Sequence, residues 1–276
     1  MKNKKQTDLG SGSVGKLLFQ LALPAITAQI VNVLYNMVDR MYIGHIPEIG
    51  AAALTGVGVC FPIIMIISAF AALVAMGGAP RASIMLGKGD KEAAEKILGN
   101  CTTATFISGI VLTIVFLIFG RDLLLLFGAS ENTIQYAVDY IRIYACGTLF
   151  VQIALGLNNF ITSQGFATIS MLSVVIGAVT NIILDPIFIF VFNMGVKGAA
   201  LATILSQALS AFWVLKFLMG KKTILRIKKQ YLKIEPKTYL PCLALGMSPF
   251  VMQSTESIIS VCFNSSLLKY GGDIAV

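Results

Sequence analysis

Apolar residues fall into seven long runs, at about 17–39, 52–78, 97–119, 134–157, 166–193, 197–218 and 239–267. Each is long enough as helix to cross a hydrocarbon core, which takes roughly 20 residues. Strand-like alternation over ten residues is missing, and backbone groups in lipid must be satisfied internally, so helices are expected rather than a barrel. The pattern predicts an all-α, polytopic membrane protein. Several runs also carry polar residues at helical spacing. In the first, Gln29, Asn32, Asn36 and Asp39 are spaced 3, 4 and 3 residues apart, which puts them on one face. In the fifth, Ser173, Gly177, Asn181 and Asp185 follow at a strict spacing of four, and Pro186 then removes a backbone donor. The sixth offers Thr203 and Gln207, and the seventh carries Gln253, Glu256, Ser257, Ser260 and Asn264.

Composition agrees with the pattern. The 276 residues are 57% hydrophobic and only 12% charged, half the charge of an ordinary soluble domain. The net charge of +8 does not point to nucleic acid, because the basic residues gather at the ends of apolar runs. They report topology instead. Lys2, Lys4, Lys5 and Lys16 precede the first run, and Arg81, Lys88, Lys91 and Lys96 follow the second. Lys221, Lys222, Arg226, Lys228, Lys229, Lys233 and Lys237 follow the sixth, whereas the opposite-side connections offer mainly Arg121 and Lys197. This asymmetry places the N-terminus and residues 219–238 in the cytoplasm, on a multi-pass protein. Residues 221–237 read as a plain linker, or as a peripheral helix on the membrane surface. No cleavage site follows the first apolar run, so it reads as a retained helix. The five cysteines are dispersed without metal-ligand spacing, and His45 is the lone histidine, so neither a thiolate or imidazole metal site nor a disulfide framework is expected.

Residues 23–44 also align with residues 248–269 when Pro24 is set on Pro249. Asn32 then meets Ser257, Tyr35 meets Ser260, and Asp39 meets Asn264. The turn EIGAAAL resembles GGDIAV at the corresponding place. Repeats of this kind are common in transporters, whose halves pack around a central site. The first copy uses six helices and the second only one, so a parent of about twice the first repeat's length is expected. The organisation is then a first lobe at 1–218, a basic cytoplasmic interlobe linker at 219–238, and at 239–276 the first helix of an incomplete second lobe.

Carboxylates inside apolar helices are costly, about 2.5–3.5 kcal/mol at the bilayer centre, so they face the interior and mark function. Asp39 and Asp185, joined by Asn181 and Thr203, offer oxygen ligands to a hard cation such as Na⁺, or a site that takes and releases a proton. Glu256 is a further candidate in the seventh helix. Asp139, one turn from Arg142, reads as half of a local pair.

LALPAITAQIVNVLYNMVDRMYIGHI, RASIMLGKGDKEAAEKILGN, GAVTNIILDPIFIF and GVKGAALATILSQ resemble the multidrug and toxic compound extrusion (MATE) family, within it the MepA-type bacterial exporters. The resemblance implies two six-helix lobes around a central cavity, of which this chain carries the N-lobe bundle plus the first helix of the C-lobe. It also implies an antiporter in the bacterial inner membrane that exports cationic or amphipathic drugs against inflowing Na⁺ or H⁺. No other cofactor, nucleic acid or obligate protein partner is implied. Asp39, Asn181, Asp185 and Thr203 match the family's N-lobe cation site, and Glu256 resembles the helix-seven acid that some members use. Gln29, Asn32, Asn36 and Gln207 would support the site, and Pro24 and Pro186 would let helices bend. A lipid-linked sugar flippase of the same superfamily should need Arg and Lys in its cavity for pyrophosphate, and these spans place them only at their edges. A membrane enzyme would need a nucleophile–base or metal constellation, which one histidine does not supply. The remaining alternative is an N-lobe fragment without transport of its own.

Overall fold

The computed structural model describes residues 13–271, all helix, turn or loop, with no strand among them. Ten α-helices follow in order: α1 (Val14–Gly44), α2 (Gly50–Val59), α3 (Phe61–Gly87), α4 (Lys91–Leu126), α5 (Ile134–Cys146), α6 (Thr148–Gly156), α7 (Asn158–Thr162), α8 (Ala167–Pro186), α9 (Val196–Met219) and α10 (Pro236–Gly271). Five stretches are long and apolar enough to cross a membrane: Leu17–Gly44, Gly50–Gly87, Lys91–Leu126, Ala167–Val191 and Val196–Met219. A sixth forms if α5 and the Thr148–Thr162 stretch count as one span, bent by 60°. The expected fourth span is therefore not straight. It breaks at Gly147, where a Cβ would collide with the Ile204 side chain, and Thr113 on α4 donates to the Ala145 carbonyl near the break (3.0 Å). The expected seventh span is a continuous helix, long enough to cross but too polar to count with the six.

The helices pack as a chain of neighbours. α1 lies on α8, α8 on α9, and α9 on α5 and α6, which rest on α4; α3 lies against α4 and α6 and carries α10 along its outer side. Two apolar cores fill the bundle. One gathers Ile43, Ile63, Ile67, Phe116, Leu124 and Ile141, and the other gathers Val74, Leu98, Phe160, Val214, Leu218 and Leu225. In lipid such surfaces gain little from leaving water, so close backbone approach matters more. It is clearest between α3 and α10, where a Cβ on Gly77 would overlap the Cys242 carbonyl and one on Gly246 would overlap the Leu73 carbonyl. Both positions need glycine because no flexible side chain is there to yield.

Two local expectations change. Asp139 pairs with Lys197 from α9 (3.4 Å) and accepts from Gln135 (3.2 Å), not from Arg142, whose side chain is exposed. Residues 221–237 hold no peripheral helix beyond the start of α10 at Pro236; a single 3₁₀ turn at Lys229–Tyr231 is the only other helical element. The side chains that take the backbone groups of this segment are described below. Lys2, Lys4 and Lys5, and nearly all of the GGDIAV turn, lie outside the described residues.

Candidate functional site

α8 ends at the acid that closes its polar stripe. Ser173, Gly177, Asn181 and Asp185 are all buried, so the strict spacing of four marks the face turned into the bundle. Asp185 is fully buried and Asn181 is 1% exposed. The Asn181 amide donates to Asp185 Oδ1 (3.0 Å), which turns the Asn181 carbonyl oxygen the other way. Pro186 cannot donate to the carbonyl four residues before it, and the helix widens directly afterwards into a π-helical turn at Ile187–Val191. Close packing of Gly198 on the Phe188 backbone seats that turn against α9. The first turns of α9 bring in Thr203, whose hydroxyl donates to the Ala199 carbonyl (3.0 Å).

α1 completes the cluster. It brings Asp39 close enough to Asp185 for the two carboxyl groups to interact directly. Arg40 lies 5.5 Å over the Phe61 ring, and no described ion pair joins it to Asp39. Asp39 Oδ1, Asp185 Oδ2 and Asn181 Oδ1 are all buried, and none has a hydrogen-bond donor. Buried polar atoms are nearly always partnered, so three orphaned acceptors in one cluster are unusual. Acceptor oxygens without donors suit a bound cation or proton, and the set contains no thiolate or imidazole.

The supporting residues divide. Asn32 and Gln207 are half-buried and line a cavity of about 160 Å³ that also touches Asn181, Thr203, Asn158 and Ser210. Gln29 and Asn36 are exposed, and the Asn36 amide bonds back to the Asn32 carbonyl (2.7 Å). Pro24 sits inside the unbroken α1, half-buried. Glu256 is exposed on α10, beside Ser257, which is buried and donates to the Pro62 carbonyl (3.0 Å). Two tyrosines join the site without having been expected from the sequence. Tyr35 lines the cavity, and Tyr140 is buried on α5 against Thr203, stacked on Tyr144 with ring centroids 5.9 Å apart. The fourfold spacing of Tyr136, Tyr140 and Tyr144 is the signal that points to the second of them.

The chain is similar to known proteins over nearly its whole length. The MatE family profile matches residues 24–187, which include Asp39, Asn181 and Asp185. A multidrug export protein MepA of Staphylococcus haemolyticus is 25% identical over 271 residues, covering 98% of this chain and 60% of the relative. The MATE multidrug transporter DinF-BH, solved as a ligand complex, is 36% identical with a TM-score of 0.91, over 99% of this chain and 60% of that one. A MOP superfamily transporter from Pyrococcus furiosus is 28% identical with a TM-score of 0.88, over 100% and 61%. The chain thus spans about 60% of the length of the relatives it matches.

Proposed function

The chain belongs to the MatE family, and from that membership we propose that it forms the cation-binding lobe of a drug antiporter in a bacterial inner membrane. Na⁺ or H⁺ would enter from outside, and cationic or amphipathic drugs would leave. The observation that carries this reading is the group of three buried acceptors without donors, on Asp39, Asp185 and Asn181. Two adjacent carboxylates repel when both are charged, and a cation or a shared proton removes the repulsion. The two acids sit on different helices, so the charge state of the pair acts on the seam between α1 and α8. α1 rests on the bundle chiefly through α8. Neutralising the pair would let α1 close on α8, bend near Pro24 and reshape the polar cavity beside Asn181. Relatives named as multidrug exporters, and a solved neighbour named as a multidrug transporter, support drug-like molecules as the exported class. The basic segment between α9 and α10 would face the cytoplasm, as would the N-terminus.

The test is transport of a fluorescent lipophilic cation in proteoliposomes, under separately imposed Na⁺ and pH gradients. It is run on residues 1–276 and on the same residues joined to the second lobe of a full-length relative. Gradient-driven transport that disappears in both Asp39→Asn and Asp185→Asn is expected of the two-lobed protein. Wild-type transport in both variants sinks the assignment. Transport by residues 1–276 alone would refute the view of this lobe as inert by itself.

A further inference from the structure

We infer that residues 220–235, between α9 and α10, form a latch of fixed geometry that makes the base of α10 part of the first bundle. A flexible tether would leave its backbone groups to water. Here the bundle's own side chains take them at two separate places.

The first place is Gln164, just ahead of α8 and 2% exposed. Its Oε1 accepts from the Ile224 amide (2.9 Å) and the Leu225 amide (2.8 Å), and the Thr223 hydroxyl shares its proton between this oxygen (2.7 Å) and the Leu225 carbonyl (2.8 Å). Its own amide donates to the Phe160 carbonyl (2.8 Å), which fixes which way the group is turned. Leu225 is fully buried in the second apolar core. The second place is Asn100 on α4, 1% exposed. Its amide donates to the Tyr231 carbonyl (3.3 Å), and its Oδ1 accepts from the Glu235 amide (2.6 Å), one residue before α10 begins. Thr103, on the next turn of α4, donates to the Leu232 carbonyl (2.5 Å). Gly99 lets the strand of chain lie this close, because a Cβ there would overlap the Tyr231 carbonyl. Between the two places, Lys228 reaches the buried Glu95 (2.5 Å) and lies over the Tyr231 ring.

Gln164 and Asn100 are therefore positioning residues: they set where α10 starts. Above them the Gly77 and Gly246 contacts hold the same helix to α3. Under the antiporter reading, on which only this consequence rests, movement between lobes cannot be absorbed in the latch.

Amide hydrogen exchange on the full chain in lipid nanodiscs tests the latch. The Ile224, Leu225 and Glu235 amides should exchange at least about 100-fold more slowly than in a free peptide. Gln164→Leu should speed Ile224 and Leu225 by about tenfold or more and leave Glu235 unchanged. Gln164→Glu keeps the acceptor and should retain most of the protection, a rescue that mere loss of packing would not show. Asn100→Leu should release Glu235 alone. Free-peptide rates in the wild type overturn the inference, as do wild-type rates in both leucine variants. If a variant does not fold, the wild-type rates still decide. Loss of the transport reading would leave these rates untouched.

Discussion

Two polar clusters stand at the two ends of α8, about 30 Å apart for a helix of this length, and they are built on opposite plans. At the Asp185 end, acceptors gather and donors are withheld: Asp39 Oδ1, Asp185 Oδ2 and Asn181 Oδ1 are left bare. At the Gln164 end the amide is partnered on both sides, its Oε1 accepting from the Ile224 and Leu225 amides and its nitrogen donating to the Phe160 carbonyl, although Glu95 Oε1 and Arg226 Nε in the latch are also bare. Polar groups buried with all partners hold a structure in one geometry, whereas buried groups without partners are a cost that folding alone does not explain. On the proposed reading, the difference separates a site that takes up a charge from a joint that fixes the chain.

Neutralising an acid gives the largest expected effect and breaks the comparison most directly. Asp39→Asn or Asp185→Asn should reduce gradient-driven transport to background without lowering the thermal unfolding midpoint, since an amide removes a buried charge that lacks a partner. A variant that unfolds at lower temperature yet still transports would show the acids to be structural, on the plan of the other cluster.

The first cluster is more legible in the sequence than the second. Asp185 and Asn181 announce themselves because one helix face carries them at regular spacing, and a charge inside an apolar run has few innocent explanations. Asp39 falls in the same class, although its stripe splits: Asn32 turns inward while Gln29 and Asn36 are exposed. Spacing reveals which residues share a face of one helix but not which faces meet. That is why the spacing of Tyr136, Tyr140 and Tyr144 marks one face of α5 but not its meeting with Thr203, and why Asp139 reads as the partner of its neighbour Arg142 instead of Lys197. The latch is less legible still. Its partners, Gln164 with 223–225 and Asn100 with 231–235, are about 60 and 135 residues apart in sequence and form no pattern. Its lysines suggest a surface helix, yet its backbone is held by side chains of the bundle.

The glycine contacts between α3 and α10 sharpen the fixed end of the comparison. Gly246→Ala and Gly77→Ala each drive a methyl into an opposing carbonyl, and should destabilise by about 1–3 kcal/mol, read from thermal unfolding. Gly58→Ala, where a Cβ meets nothing within 4 Å, is the control and should be neutral or mildly stabilising. Equal stability in all three would mean that α10 is held loosely.

At the other end, Tyr140→Phe removes one hydroxyl beside Thr203 and leaves both acids. The apparent affinity for the coupling cation should fall several-fold, by about 0.5–1.5 kcal/mol, with the maximal transport rate nearly unchanged. Transport kinetics against cation concentration give that split, and an unchanged affinity would place Tyr140 outside the site.

The smallest effect concerns pH at the latch. Lys228 is held above the ordinary lysine value of 10.5 chiefly by its hydrogen bond to Glu95, with desolvation the main opposing effect and the Glu95 charge adding to the rise. A basic group raised on folding contributes stability that is complete below its ordinary value and is lost as pH rises through the higher folded one. Protection of the Leu225 and Glu235 amides, corrected for intrinsic exchange, should therefore stay flat from about pH 7 to about pH 9 and fall only in the lysine range. Only the lysine side of the pair is exposed; Lys228→Gln removes its charge but keeps a donor within reach of the buried Glu95, so these rates should shift modestly. Loss of protection across neutral pH would mean that another group controls the latch.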